Sequence, residues 1–368
     1  MLTEAFQRLE NLKTVGIRDF NAANRVRDGK SWSSWGATTV YRETGVALQF
    51  SDRSHYSPEV GSRFVSRVFS SVLYAMGKAG RHTPEIEVLL RQHGLPDTSF
   101  FLPDFLLPTV EPVLQNLNSL LLNVDLVMRY LHTHSSGTSA DPHAGRSLRR
   151  FLSRIPNLGH IRLNFEKHLV ANNQAFLDWL SEPVSAARAA DDFLNPPTVT
   201  FPHLKQLELG QLTVHSDQLV AVVSKFAATL EDLSLWRMNL HSMAPPPFGH
   251  KPNLWRDLYS RLEKIPKMKL THLKVGMLQQ DHMIVCFKTD DHPENVKPPA
   301  VKEYTGKEMG KFWSEIQEQV SVTLPEPAIV IDDDSDSDSH MVDDDGEEDE
   351  EDSEDEEDSE DEDEDDDE

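Results

Sequence analysis

The stretch FPHLKQLELGQLTVHSDQLVAVVSKFAATLEDLSLWRMNL, residues 201–240, decides the fold. Within it a leucine is followed by two residues, an aliphatic residue, one residue and another aliphatic residue, at 204–209 and again at 230–235. The last two aliphatic positions alternate as in a strand that buries one face. Between the two copies, the spacing of apolar residues predicts a helix with Ser216 as its N-cap.

The leucine-led pattern recurs along the chain, which indicates a repeat architecture. Its copies predict six strands, at Leu12-Val15-Ile17, Leu117-Leu120-Leu122, Leu158-Ile161-Leu163, Leu204-Leu207-Leu209, Leu230-Leu233-Leu235 and Leu270-Leu273-Val275. Apolar residues at helical spacing predict further helices over 64–76, 148–155, 176–180 and 254–265. Strand, turn and helix in succession are typical of leucine-rich repeats, whose units bury their apolar faces by stacking.

The sequence therefore predicts an α/β fold, an irregular leucine-rich-repeat solenoid, over residues 1–326. The leading leucines lie 105, 41, 46, 26 and 40 residues apart, whereas regular repeats are about 20–29 residues long. We interpret residues 21–111, in the longest gap, as a helical insertion or a pair of degenerate repeats. Regular repeats have asparagine just after the strand, but here the residues are Leu212, Met238 and Leu278. A non-repeating α/β domain with leucine-rich strands is the alternative.

Residues 201–240 resemble the large group of filamentous-fungal F-box/leucine-rich-repeat-like proteins. Other segments that fit this group are 114–122, FLSRIPNLGHIRLNF (151–165), AFLDWLSEP (175–183) and KFWSEIQEQVSV (311–322). The resemblance implies a substrate receptor of a cullin-type ubiquitin ligase, in which an N-terminal F-box docks on an adaptor and the repeats hold a substrate. The sequence departs from that pattern because the first repeat begins by Leu9 or Leu12, so no room for an F-box is expected before it.

The charge is concentrated at the C-terminal end. The formal net charge is −26, but 28 of the 62 acidic residues lie in 332–368, which contains no lysine or arginine. The rest of the chain has 34 acidic and 36 basic residues, a net charge of +2. Residues 332–368 contain only Met341 and Val342 as apolar side chains to bury, and residues 327–368 are predicted to form a disordered acidic tail. Such tails suit basic partners such as histones, or serve only to raise solubility.

A short aliphatic run precedes the acidic residues. Ile329, Val330 and Ile331 lead directly into Asp332, Asp333 and Asp334. This arrangement resembles a SUMO-interacting motif, in which an extended aliphatic segment adds as a strand to the modifier and the acids face its basic rim. The alternatives are a last strand of the folded body or a plain linker.

Three serines in the acidic tail have an acidic residue three positions later, as acidophilic kinases prefer. They are the predicted phosphorylation sites Ser335, Ser353 and Ser359. Each phosphate would add a charge of roughly −1.5 to −2. Only a phosphate on Ser335, next to the aliphatic run, is expected to have a local effect.

The sequence contains no complete catalytic motif, and we predict no enzyme activity, cofactor or metal site. Gly29-Lys30-Ser31 lacks the leading glycine of a phosphate-binding loop, which is Asn24 here. His132, His134 and His143 lie in a segment rich in serine, glycine and threonine, which is typical of a surface loop. Cys286, the single cysteine, lies in the apolar segment MIVCFK, which favours an inert buried thiol.

Two groups of residues are candidates for binding. Trp236 and Arg237 follow the fifth leucine-led strand, where they would belong to a repeat binding face or pack against a neighbouring repeat. A basic cluster of Arg146, Arg149, Arg150 and Arg154 suggests three hypotheses, namely a nucleic-acid contact, a solvated helix face or a contact with the acidic tail. The net charge of +2 makes direct nucleic-acid binding the weaker interpretation.

The sequence thus predicts a non-enzymatic protein-interaction module whose repeats bind a protein partner. The alternatives are a ubiquitin-ligase substrate receptor and an acidic-tailed histone- or chromatin-associated protein. The single cysteine excludes an internal disulfide and suits the cytoplasm or nucleus. No apolar run approaches the ~20 residues of a membrane span, and the N-terminus is amphipathic rather than a signal peptide.

Overall fold

The fold combines helices with mixed β-sheets, as the predicted α/β class requires. The computed structural model describes residues 1–18, 42, 45, 58–90, 94–126, 143–166, 170–183, 196–242, 252–289 and 296–323. The predicted acidic tail, residues 327–368, lies outside the described residues. Within them, no helix is both long enough and apolar enough to cross a membrane.

The strands and helices have the following bounds. The strands are β1 (Thr14–Arg18), β2 (Glu85–Leu89), β3 (Leu95–Pro96), β4 (Ser119–Asp125), β5 (His160–Phe165), β6 (Gln206–Gly210), β7 (Thr213–Val214), β8 (Asp232–Trp236), β9 (Asn239–Leu240), β10 (His272–Gly276), β11 (Gln279–Gln280), β12 (Met283–Phe287), β13 (Val301–Thr305) and β14 (Val320–Thr323). The α-helices are α1 (Leu2–Arg8), α2 (Pro58–Lys78), α3 (Leu107–Gln115), α4 (Arg146–Ser153), α5 (Val170–Ser181), α6 (Ser216–Phe226), α7 (Leu254–Glu263) and α8 (Met309–Gln319), and a 3₁₀ helix spans Asp97–Phe100.

Among the described residues, the main sheet has nine strands, and its order is β1-β2-β4-β5-β6-β8-β10-β13, with β3 beside the end of β4. Its neighbours pair in parallel, except that β13 is antiparallel to β10. The six leucine-led segments form β1, β4, β5, β6, β8 and β10, so the strands predicted from that pattern are confirmed. Position in the sheet follows position in the chain.

The register of the main sheet stacks the two aliphatic positions of the pattern into two ladders. The first ladder consists of Val15, Ile86, Leu120, Ile161, Leu207, Leu233 and Leu273. The second consists of Ile17, Val88, Leu122, Leu163, Leu209, Leu235 and Val275. From β2 onward every member is buried. Each such side chain contributes roughly 1.5–3 kcal/mol by burial, so the ladders form the centre of the core.

A second sheet, in the order β14-β12-β11-β9-β7, begins just after the strands of the main sheet. The chain enters it through Gln211, Arg237 and Met277, which have left-handed backbones with φ of 61°, 54° and 54°. The residues at the asparagine position, Leu212, Met238 and Leu278, are 1%, 0% and 1% exposed. Their turns are held by main-chain bonds instead, such as the Asn239 N–H to the Leu212 carbonyl at 2.7 Å and the Gln279 N–H to the Met238 carbonyl at 2.8 Å. The main-chain hydrogen bonds of the second sheet therefore hold these turns, which asparagine side chains hold in regular leucine-rich repeats.

Restoring asparagine at one of these positions should therefore destabilise the protein. We expect Met238→Asn to lower the free energy of unfolding by about 3 kcal/mol. The smaller side chain leaves a gap in the core, and its amide is buried where the main-chain groups of the turns already bond to one another. Chemical denaturation measures the change. Arg237→Asn is the control, since asparagine tolerates a left-handed backbone and the side chain is exposed. A stabilised Met238→Asn variant would contradict this account.

Two details differ from the sequence-based expectations. The helix after β7 begins at Ser216, and His215 is its N-cap, so the predicted cap was wrong by one residue. The Gln218 side chain accepts a hydrogen bond from the backbone N–H of His215 there, at 3.2 Å. The segment 21–111 contributes β2 to the main sheet, between the edge strand β1 and β4, and no leucine-led pattern had indicated that strand. The main sheet thus continues through this segment.

Aromatic rings fill the space between helices and strands. Near the N-terminal half, the rings of Phe69, Phe100 and Phe151 lie 5.4 to 5.8 Å apart in pairs. Near the C-terminal half, Tyr259 lies between Trp255, at 5.8 Å, and Trp313, at 6.2 Å. Such tilted pairs stabilise packing by about 0.5–1.5 kcal/mol beyond the area that they bury.

Candidate functional site

The candidate site is the face of the main sheet opposite the aliphatic ladders, because successive side chains of a strand point to opposite faces. One row across it consists of Thr14, Glu85, Ser119, His160, Gln206, Asp232, His272 and Thr305. The next consists of Gly16, Glu87, Leu121, Arg162, Glu208, Ser234, Lys274 and Glu303. We call these two rows, together with Trp236, the polar sheet face. Most of its side chains are polar or charged, whereas those of the two ladders on the other face of the sheet are aliphatic.

At the β1–β5 end, the polar sheet face is held by a buried carboxylate. Glu87 is 2% exposed, and its Oε2 accepts a hydrogen bond from Nη2 of Arg18 at 2.8 Å. Arg162 Nη2 lies 4.0 Å from the other carboxylate oxygen. Because a buried charge must be paired, these arginines fix the side chain of Glu87 in one orientation.

In the middle of the face, His160 links two strands. Its Nε2 lies 2.7 Å from Oε1 of Glu208, and its Nδ1 lies 3.2 Å from Oγ of Ser119. Burial raises the pKa of Glu208, but the hydrogen bond with His160 and nearby positive charges lower it by more, so the net pKa lies below the ordinary value. Glu208 is therefore charged at neutral pH and available to a basic group.

Toward the C-terminal end, His272 lies between two carboxylates. Its Nδ1 is 2.8 Å from Asp232 Oδ1, and its Nε2 is 3.1 Å from Glu303 Oε1. Lys274 Nζ contacts the other oxygen of Glu303 at 2.9 Å. Burial lowers the pKa of His272, but its contacts with Asp232 and Glu303 raise it by more, and its net pKa is above the ordinary value. The four side chains form one connected network across three strands.

The raised pKa of His272 predicts a pH-dependent contribution to stability. A folded-state pKa above the unfolded value means that the contribution is complete below about pH 6.5 and is lost as pH rises through the folded-state pKa. We therefore expect His272→Gln to cost more free energy of unfolding at pH 5.5 than at pH 8.5. Denaturation of both proteins across this range measures the difference. A cost that is equal at both ends would contradict the ion pairing.

The structure places Trp236 at the end of β8, half-buried on the polar sheet face, and Arg237 directly after it, exposed. A Cβ atom on Gly276, the partner residue on β10, would overlap the indole ring, so the ring lies over that glycine. Trp236 thus packs over its neighbouring strand and keeps part of its surface accessible, and its role in a binding face stays a prediction.

The predicted basic cluster lies on α4, and a buried carboxylate from a distant segment holds the start of that helix. Asp97, 1% exposed, accepts the N–H groups of Ser147 at 3.1 Å and of Leu148 at 2.9 Å. It replaces a local cap, because Gly145 occupies the N-cap position. Burial raises the pKa of Asp97, although these hydrogen bonds and the Arg149 charge lower it in part. Arg149 itself lies over the Trp179 ring, at 5.9 Å.

Removing this cap should loosen α4. We expect Asp97→Ala to lower the free energy of unfolding by about 2 kcal/mol, because two buried N–H groups lose their acceptor, and Asp97→Asn to cost less. Since the folded-state pKa is raised, the advantage of the wild type over Asp97→Asn should shrink as pH rises from about 4 through that pKa. Denaturation at several pH values measures both. Equal costs for alanine and asparagine would argue against capping.

Several predicted residues lie outside the described part of the chain. These are Ile329, Val330, Ile331, Asp332, Asp333 and Asp334 of the SUMO-interacting-like motif, the serines Ser335, Ser353 and Ser359, and the histidines His132 and His134. His143 is described, and its Nδ1 contacts Nη2 of Arg146. Cys286 is 4% exposed in β12, and its Sγ lies 3.2 Å from Oγ of Ser321. The motif and the phosphorylation sites therefore stay predictions.

Sequence patterns had singled out Trp236 and Arg237 but missed the rest of the polar sheet face. The residues between the aliphatic positions were the available signal, because they project from the opposite face once the register is known. The partners of His160 and His272 lie on neighbouring strands, so the register had to be known first. Comparison with known proteins gives no further guide, since no known protein family and no curated protein matches the chain.

Proposed function

We propose that this chain is a non-enzymatic protein-interaction module, built as an irregular leucine-rich-repeat solenoid, whose polar sheet face binds a protein partner. The observation that carries this proposal is the row of paired polar and charged side chains on the outward face, together with a half-buried tryptophan and an exposed arginine.

The repeat architecture is supported by the order of the elements. The parallel strands of the main sheet follow one another in chain order, and consecutive helices from α5 to α8 each contact the next. In a solenoid each unit contacts its neighbours, so such sequential contacts are expected of it. The three short strands β7, β9 and β11 repeat the same arrangement on the exit side of the main strands.

The binding role is supported by the chemistry of the polar sheet face. Tryptophan and arginine are enriched among the residues that contribute most to protein interfaces. The pairs His160–Glu208 and Lys274–Glu303 hold polar groups in fixed positions before any partner arrives. Side chains that are already ordered lose less conformational entropy on binding, which favours affinity. Their mixed signs favour a partner surface that also carries both charges.

Affinity capture with matched variants tests the proposal. We expect Arg237→Glu and, separately, Trp236→Ala to lower the recovery of a specific partner at least ~10-fold relative to the wild type, without unfolding the protein. Lys311→Glu is the control, since it reverses an exposed charge on α8 and should leave recovery unchanged. Equal recovery with all three variants, or measured catalytic turnover in the absence of a partner, would overturn the proposal.

A further inference from the structure

A groove of about 360 Å³ lies between α4 and the segment that follows the 3₁₀ helix. One wall of this α4 groove consists of Arg146, Arg150 and Arg154, and the other includes Phe101 and Leu102. None of the lining residues lies on a strand, so the groove is separate from the polar sheet face.

The first wall is a basic row. Arg146, Arg150 and Arg154 are spaced four residues apart, which places them on one side of the helix and the turn that ends it. All three are half-buried, and the helix sequence RSLRRFLS contains no acidic residue. Glu111 approaches the row at its C-terminal end, where its Oε1 lies 4.0 Å from Nη1 of Arg154. A planar guanidinium can bind a carboxylate through two parallel hydrogen bonds, so the row suits a series of carboxylates.

The second wall is apolar and unusually exposed. Phe101 is 53% exposed, and nearby Phe105 is 79% exposed. Large apolar side chains grouped in this way on a folded surface are typical of interaction sites. The segment is anchored rather than loose, because the ring of the preceding residue, Phe100, lies 5.4 Å from Phe151 of α4 and Asp97 caps that helix. The two walls are therefore held at a fixed separation.

We infer that the α4 groove binds an acidic peptide segment of a partner protein, with carboxylates on the arginine row and an adjacent aliphatic or aromatic side chain against Phe101. Complementary charge explains the first wall, and burial of apolar surface explains the second. A nucleic acid fits less well, because residues 1–331 have a net charge of only +2, which is little for a surface that binds a phosphate backbone.

Fluorescence anisotropy with the full chain tests this inference. The probe is a fluorescein-labelled peptide in which two leucines precede a run of aspartates. We expect the double variant Arg150→Glu/Arg154→Glu to weaken its binding at least ~10-fold. Phe101→Ala, at a half-exposed position that is not needed for the core, should weaken binding several-fold and serves if the double variant fails to fold. The matched control Lys307→Glu/Lys311→Glu reverses two exposed charges on another element and should bind as the wild type does.

Three results would overturn the inference. The first is equal binding by the wild type and both groove variants. The second is equal binding of a peptide in which serines replace the leucines, because the apolar wall would then contribute nothing. The third is tighter binding of a fluorescein-labelled single-stranded RNA than of the peptide in the same buffer. Because the readout is a defined peptide, it is independent of whether the polar sheet face binds its own partner.

Discussion

Leu207→Asn is expected to unfold the protein or to leave it barely folded. Leu207 is 0% exposed and lies in the first aliphatic ladder, between Ile161 and Leu233 on the neighbouring strands. The substitution leaves a cavity and buries an amide among aliphatic side chains, which together cost about 4–6 kcal/mol. Whole domains are stable by about 5–15 kcal/mol, so this loss is comparable to the total. Chemical denaturation monitored by circular dichroism measures it.

The neighbouring residue provides a matched control. Gln206 is exposed on the opposite face of the same strand, so Gln206→Asn should change the free energy of unfolding by less than about 1 kcal/mol. Comparable costs at the two positions would mean that the strand does not separate a buried ladder from a polar face. The assigned register would then be wrong, because a slip of one residue exchanges the two faces.

Trp255→Ala is expected to have the second largest effect, about 3–5 kcal/mol. The indole is 0% exposed, packs 5.8 Å from the Tyr259 ring and donates its Nε1–H to the Gln279 carbonyl at 2.9 Å. It therefore joins α7 to the second sheet. Removing it leaves a large cavity and an unpaired carbonyl at the same place, and denaturation measures the combined cost.

Trp255→Phe separates these two contributions. A phenyl ring keeps most of the packing but lacks the N–H group, so we expect a loss of only about 1–2 kcal/mol. If the alanine variant is as stable as the phenylalanine variant, packing of the ring at position 255 contributes little to the stability of the core. That result would contradict the expected cost of the cavity.

The six leucine-led strands could be predicted because their pattern is local. Each needs only three aliphatic residues at fixed spacing, and burial of one strand face imposes that spacing. Strand β2 escaped prediction because its buried residues, Ile86 and Val88, lack the leading leucine, and because Glu87 lies between them as a buried carboxylate. Arginines that reach this residue from other strands pair with its charge and so stabilise its burial.

The candidate sites could be predicted only in part, since they depend on contacts between distant residues. The arginine spacing on α4 was visible in the sequence, but the opposite wall comes from a segment about fifty residues earlier, joined through Asp97 and Leu148. The capping histidine His215 was missed because serine, the next residue, is the commoner cap. Likewise, His272 reaches its two carboxylates only after β8, β10 and β13 have paired.

Site-specific photo-crosslinking tests the central claim most directly, namely that the polar sheet face binds a protein partner. A photoreactive amino acid is placed at Gln206 or Lys274 on that face, and at exposed Ser224 or Lys311 on the helices as controls. The account predicts that both sheet positions crosslink to the same protein and that neither helix position does. Crosslinks to that protein from the helices but not from the sheet would contradict it.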